Sequence, residues 1–324
     1  MVGWPVQPAN EISELVMSVC ALVDTSRLAT SRAGNCERSS SAEFLAGGAV
    51  WSLIEEANLT PKPALVDARG YGAHSDMNLG MLHRSARSLW GTFAGIADEA
   101  WGAGESICLR ERLAQLGREG ERNMLRTTGG VNTHRGAIWT LGLLCAAAAM
   151  LAGKRNSAEE ICAQGARIAR LPDGYTSRTK SHGEQACEQF GVRGARGEAE
   201  SGFHHIVEVG LPMLKSSRSL GLTEGSARLN ALVAIMADLD DTCLLHRGGL
   251  TALAVTKLRA KTILQLGGAS TADGFRALCD LHRRLVHLNA SPGGSADLLA
   301  GVLFLDFIER NFDLQREEIG NVAF

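Results

Sequence analysis

The chain has 324 residues, 45% hydrophobic and 21% charged, an ordinary balance for a globular protein in water. A formal charge of −2 leaves no overall basic field to hold nucleic acid or an anionic membrane, so any phosphate site must be local. Its eight cysteines include no Cys-x-x-Cys pair, which argues against a zinc knuckle and for a reducing, cytoplasmic setting.

From the N-terminus, the first apolar run, Ile12 to Val23, lacks a basic stretch before it and is interrupted by Glu14, so no signal peptide is expected. Residues 24–40 read as a polar surface loop, with 1–40 peripheral. Ser40-Ser-Ala-Glu43 then reads as a capping box opening a helix. Met77 to Ile96 gives one long amphipathic stretch. The longest apolar run, Ala137 to Ala152, is too short to span a bilayer comfortably and predicts a buried core helix. Ser157-Ala-Glu-Glu160 looks like a second capping box. Residues 171–197 form the longest segment of low hydrophobicity, a loop of the kind that is functional or disordered. Further helices are expected near 202–214, 224–239, 249–266, 272–288 and 296–311. No alternating strand pattern appears. The expectation is an all-α, compact multi-helix bundle, residues 1–324 forming a single catalytic domain. Trp51, Trp90 and Trp139 read as core, His204 and His205 as lying on a helix with at most one of them toward the site, and His282 and His287 as surface or satisfied core.

Five polar segments fall where these helices start or stop. In "TPKPALVDARGYGAHSDM" (Thr60 to Met77), two prolines stiffen the chain around Lys62, and His74 and Asp76 follow. In "TTGGVNTHRGA" (Thr127 to Ala137), Gly129 and Gly130 free the backbone and Asn132 or Thr133 can cap a helix. His134 and Arg135 add donors to a helix start suited to an anion. The Walker pattern is absent. "GVRGARGEAESGF" (Gly191 to Phe203) sets Arg193 and Arg196 beside Glu198 and Glu200. "MADLDDTCLLHRGG" (Met236 to Gly249) crowds Asp238, Asp240 and Asp241 ahead of Arg247, and such carboxylates need a cation between them. "SPGGSADLLAG" (Ser291 to Gly301) repeats the glycine-pair helix start. Each segment alone is explained by capping. Together they suit a nucleoside triphosphate with Mg²⁺, with Lys62, Arg135, Arg196 and Arg247 as cations. Asp76, Glu198 and Asp241 would be metal ligands or acid/base groups, in a site formed by polar loops and helix N-termini.

"PKPALVD", "GAHSDM", "GVNTHRGAIWTLGLL", "GARGEAESGF", "DDTCLLHRGG" and "SPGGSADLLA" occur in that order, and in it the chain resembles the triphosphoribosyl-dephospho-CoA synthase family. The resemblance runs from about Lys62 to Leu299 and is strongest over 60–300. It departs at Ala64, where glycine is expected, at Arg135, where lysine is frequent, and at Cys243, where asparagine is frequent in the citrate-lyase branch. The family makes the prosthetic-group precursor of citrate lyase and malonate decarboxylase, and Cys243 inclines the reading to the latter. The resemblance implies that the 2′-hydroxyl of 3′-dephospho-CoA attacks C1′ of the ATP ribose. Adenine leaves and the intact triphosphate stays on the transferred sugar, giving 2′-(5″-triphosphoribosyl)-3′-dephospho-CoA. A separate enzyme then loads this product onto an acyl carrier protein.

Under that reading Lys62, Arg135 and Arg247 grip phosphates with the Gly129 and Gly130 backbone, helped by Asn132, Thr133, His134 and Arg196. Asp76, Glu198 and Asp241 share Mg²⁺ and the acid/base work, with His74 and His134 as further proton carriers. A homodimer is one assembly open to the chain. A Mg²⁺-dependent all-α nucleotide or ADP-ribosyl hydrolase would use the same residues, and a non-catalytic nucleotide binder is a third reading.

Overall fold

In a computed structural model, residues 30–152, 156–175 and 180–321 are described, with side chains from 37 to 311. The helices are α1 (Thr30–Asn58), α2 (Leu79–Ser88), α3 (Trp90–Ala100), α4 (Ile107–Thr128), α5 (Arg135–Met150), α6 (Ala158–Arg170), α7 (His182–Phe190) and α8 (Gly194–Glu200). A π-helical turn (His205–Gly210) leads into α9 (Leu211–Ser219), followed by α10 (Glu224–Asp238), α11 (Thr242–Gln265), α12 (Ala272–His287) and α13 (Gly293–Asn321). The only extended pairing among the described residues is an isolated bridge between Asp67 and Gly70. The fold is all-α.

Hydrophobic patterning decides which helices lie inside. α5 is apolar almost all round and, half-buried Trp139 apart, buried from Ala137 to Ala147, α10 is buried from Leu229 to Ala237, and Leu298 to Ile308 of α13 have almost no exposure. A helix without a polar face must be surrounded. α13 accordingly packs against α1, α5 and α10, and α3 covers α1 and α5. Small residues allow close approach: a Cβ added at Gly301 would stand 2.5 Å from Ile206 Cδ1. No described helix is long and apolar enough to cross a membrane.

Several boundaries differ from the sequence reading. The expected loop at 24–40 is helical from Thr30, and Ser40-Ser-Ala-Glu43 lies inside α1 rather than at a start, because the helix continues N-terminally of the box. Residues 1–29 lie outside the described residues. The Met77–Ile96 stretch is two helices meeting at Leu89. The capping box at Ser157 is present, and so is an unforeseen one at Ser181 and Glu184. That second box starts α7 within the segment expected to be a loop. α11 contains a break at Gly249, whose φ of 63° and ψ of −162° suit glycine alone. Ala64, which stands where the resembled family has glycine, holds a left-handed φ of 57°.

Candidate active site

The N-termini of α5, α11 and α13, the loop from Lys62 to Met77 and the start of α8 line one cavity of about 780 Å³. All five polar sequence segments therefore converge, the Gly191–Phe203 segment through Gly194, Ala195 and Glu198.

Several helix-start N–H groups beside this cavity are already taken by the chain's own carboxylates. Asp241 caps α11 through Cys243 N–H at 2.9 Å and Leu244 N–H at 3.4 Å. The same carboxylate crosses to α13, accepting from Gly294 N–H at 3.3 Å, Ser295 N–H at 2.8 Å and the Ser295 hydroxyl at 2.9 Å. Both oxygens are engaged, so Asp241 joins two helix ends. Asp297 plays a matching part at α5, where the backbone of Ala137 donates to it. A Cβ on Gly136 would lie 2.0 Å from Asp297 Oδ2, so the glycine makes room for the acid. Burial, then the nearby charges of Glu56 and Asp241, push the Asp297 carboxyl well above the ordinary carboxylate range.

Side-chain cations differ in what holds them. Lys62 is 1% exposed and donates to the Glu56 carboxylate at 2.6 Å and the Glu56 carbonyl at 2.7 Å. Arg135 pairs with Glu121 at 3.1 Å. Arg247 donates only to uncharged acceptors: the Asn289 carbonyl at 2.9 Å, Asn289 Oδ1 at 2.9 Å, His74 Nδ1 at 3.0 Å and the Ala73 carbonyl. Among the described residues no carboxylate pairs with it. Asn289 reaches it with both oxygens from a left-handed φ of 51°, a conformation asparagine tolerates.

The expected proton carriers are uncharged near neutral pH. Burial, and then the Arg247 charge, lower His74 to about 4. Burial, and then Lys62, lower His134 to about 3. His74 accepts from Arg247 at Nδ1, so its Nε2 carries the hydrogen.

Asn132, Thr133, His134 and Arg135 line the cavity, as do Lys62, Arg247, His74, Asp76, Glu198 and Asp241. Three expected residues do not. Gly129 and Gly130 end α4 with left-handed φ values, and the N–H of each donates to the Leu125 carbonyl, leaving no donor for a phosphate. Arg196 is exposed and paired with Glu200 at 2.8 Å on its own helix. Asp76 is 60% exposed and Glu198 8% exposed in their side chains, and among the described residues no three acidic, histidine or cysteine groups gather as a metal cage.

Other residues of the cavity or its support were missed. His205, read as bland, backs Glu198 with its backbone N–H and Nδ1, both at 2.8 Å. Desolvation lowers its pKa, but the Glu198 hydrogen bond and charge outweigh that and the net shift is upward. Trp139, read as core, lines the cavity and donates to the Ala195 carbonyl at 3.2 Å. His182 and His246 stack in the lining with centroids 4.0 Å apart. Glu56 lies in an apolar run without a motif. Asp297 lies in the last polar segment, where sequence offers it only as part of a helix start beside Ser295, and Asn289 lies next to that segment.

Residues 42–316 match the family described as ATP:dephospho-CoA triphosphoribosyl transferase. Two Pseudomonas proteins and one from Stutzerimonas are named probable 2-(5″-triphosphoribosyl)-3′-dephosphocoenzyme-A synthase. The Pseudomonas fluorescens Pf0-1 protein is 53% identical over 85% of this chain and 94% of its own. The Pseudomonas aeruginosa UCBPP-PA14 protein is 55% identical over 82% and 90%, and the Stutzerimonas stutzeri A1501 protein 53% identical over 82% and 92%. No solved structure matches. The chain belongs to the ATP:dephospho-CoA triphosphoribosyl transferase family.

Proposed function

We propose that the cavity is where the chain moves the 5-triphosphoribosyl group of ATP onto the 2′-hydroxyl of 3′-dephospho-CoA. The observation that carries this is Arg247, a cavity arginine fixed by four neutral acceptors and matched by no carboxylate among the described residues. Its charge is left over for an anion brought from outside, and its fork suits phosphate oxygens. Arg135 and Lys62, each already paired, add field and hydrogen bonds.

In the transfer the 2′-oxygen forms a bond to C1′, the C1′–N9 bond breaks, and the hydroxyl proton is taken up while adenine gains one. Positive charge develops at C1′, which a carboxylate stabilises. Glu198, braced by His205, is our candidate for that role, and Asp76 for accepting the hydroxyl proton. Asp297 holds its proton to unusually high pH and suits donation to departing adenine. Asp241, with both oxygens engaged, is reassigned to positioning.

Mg²⁺ on nucleotides commonly takes one or two protein carboxylates, with phosphates and water completing its shell. The exposed carboxylate of Asp76, in the lining, fits that mode and would hold the ion with the triphosphate. Bound there, the ion would neutralise phosphate charge.

Six cysteines among the described residues are unpaired, which supports a reducing, cytoplasmic setting. Cys243, the residue that inclines the resemblance to malonate decarboxylase, is in the lining, and we propose that branch's acyl carrier protein as the final recipient of the product.

Purified protein with ATP, Mg²⁺ and 3′-dephospho-CoA should release adenine in step with a product heavier than dephospho-CoA, read by mass spectrometry. Release of ribose triphosphate or ADP regardless of acceptor would make the chain a hydrolase. Stabilisation by ATP without turnover would make it a binder.

A further inference from the structure

Two polar atoms on cavity-lining residues are fully buried and without a hydrogen-bond partner: Nε2 of His134 and Oγ of Ser291. Leaving such an atom unpaired costs about 1–3 kcal/mol, so an unpaired one beside a cavity points to a ligand atom. His134 is the more informative, because its other nitrogen is tied down. Nδ1 lies 2.8 Å from the Ser85 hydroxyl, and the Ser85 hydroxyl lies 2.6 Å from that of Thr133. Ser85 is 0% exposed. Its single proton can go to His134 or to Thr133, not to both.

The chain of three groups therefore has two directions. In one, Thr133 donates to Ser85, Ser85 donates to Nδ1, and the ring carries its hydrogen on Nε2. In the other, Nδ1 donates to Ser85, Ser85 donates to Thr133, and Nε2 is a bare lone pair. We propose that the first direction holds, so that Ser85 and Thr133 act as positioning residues and His134 offers Nε2–H to a phosphate oxygen of the nucleotide substrate. The choice rests on reading the cavity as a triphosphate site, since a lone pair facing a phosphate oxygen would repel it. Burial keeps the ring uncharged at neutral pH, so the donor neither titrates near neutrality nor adds a third cation beside Lys62 and Arg135. Of the residues around it, Lys62 is already neutralised by Glu56 at 2.6 Å.

The test is long-range ¹⁵N–¹H correlation NMR on histidine-labelled protein at pH 7, with the His134 signals identified by their loss in His134→Gln. Without nucleotide, Nδ1 should be the bare nitrogen and Nε2 the protonated one. Ser85→Ala should turn this single tautomer into a mixture. Thr133→Val, at a partly exposed position, is a second break in the same chain and should do so in part. Inorganic tripolyphosphate should shift the Nε2–H signal and adenosine should not. Both variants should lose about tenfold in kcat/KM for ATP, equally from pH 6 to 8, since no titration is removed. A wild-type Nδ1–H tautomer, a tautomer unchanged in Ser85→Ala, no response to tripolyphosphate, or a response to adenosine instead would each overturn the proposal. The tautomer is read without substrates, so absent adenine release beside an intact Nε2–H would count against the transfer reaction and not against the relay.

Discussion

Two arginine sites in this molecule are built in opposite ways. Where α1, α9, α10 and α13 meet, Arg218 donates to Glu224 at 2.8 Å and to Asp306 at 2.5 Å, and Arg228 donates to Glu224 at 2.7 Å and Glu55 at 2.5 Å. Each cation there has two carboxylates, and the local charge is settled within the fold. In the cavity, Arg247 is held as firmly but only by neutral groups. A matched charge serves the fold, and an unmatched one in a cavity awaits a partner. The sharpest way to break this contrast is to delete both arginines in turn. Arg247→Ala should cut turnover by about 10²–10³ while leaving a folded protein, and Arg247→Lys should recover part of it, charge without the fork. Arg218→Ala should do the reverse, costing about 2–3 kcal/mol in denaturant unfolding because Asp306, 4% exposed, loses its main partner. Equal losses of stability, or of turnover, would end the distinction.

Glycines give a second form of the same comparison. A Cβ at Gly136 would strike Asp297, whereas at Gly47 in α1 it would meet nothing within 4 Å. Both positions are helical, so alanine is intrinsically preferred at each by up to about 1 kcal/mol. Gly47→Ala should raise the melting temperature slightly and leave turnover alone. Gly136→Ala should displace the Asp297 carboxylate and lower turnover about 10- to 100-fold with little change in melting. If both variants turn over normally, Asp297 has no part in the reaction.

Acid separates the two regions by pH window. Folded His74 and His134 stay unprotonated down to about 4 and about 3, while the unfolded rings take a proton near 6.5. The unfolded chain thus binds more protons in that interval, and stability falls as pH drops from 6.5, by about 1.4 kcal/mol per pH unit for each ring. Glu224, held down chiefly by its hydrogen bond to Arg218, keeps its charge to about 2 against an ordinary 4.5. Its contribution is present above 4.5 and is lost between 4.5 and 2. The fall in stability between pH 7 and 5 should therefore be shallower in His134→Gln, whereas Arg218→Ala should lower stability evenly above pH 4.5 and change the slope only between 4.5 and 2.

Much of this was legible in the sequence because it rests on local rules. The apolar run from Ala137 had to be an inner helix, and the five polar segments at helix ends did converge. The departure at Ala64 carried no conformational expectation, and only the fold shows its left-handed φ of 57°. What sequence could not supply was occupancy. A helix start with glycine and arginine reads as an open anion site, and nothing local says that Asp297, from α13, already takes the Ala137 N–H there. Equally, Glu56 carries no motif, and only its position 2.6 Å from Lys62 shows that this lysine is neutralised. Partners far apart in sequence decide whether a charge is spare.

Arg196 is the smallest effect and the clearest case. Sequence set it beside Glu198, in a segment shared with the family, and counted it among the phosphate-binding cations. In the fold its side chain is 70% exposed and pairs with Glu200 four residues on, the ordinary arrangement of a solvated helix face, worth about 0.3–0.5 kcal/mol. It is absent from the cavity lining that holds Glu198, because two residues along a helix turn the side chain away. Arg196→Ala should leave KM for ATP within about twofold and unfolding within about 0.5 kcal/mol. A tenfold rise in KM would mean that the α8 start swings toward the triphosphate when substrate binds, adding a second phosphate-facing arginine to Arg247 among the described cavity residues.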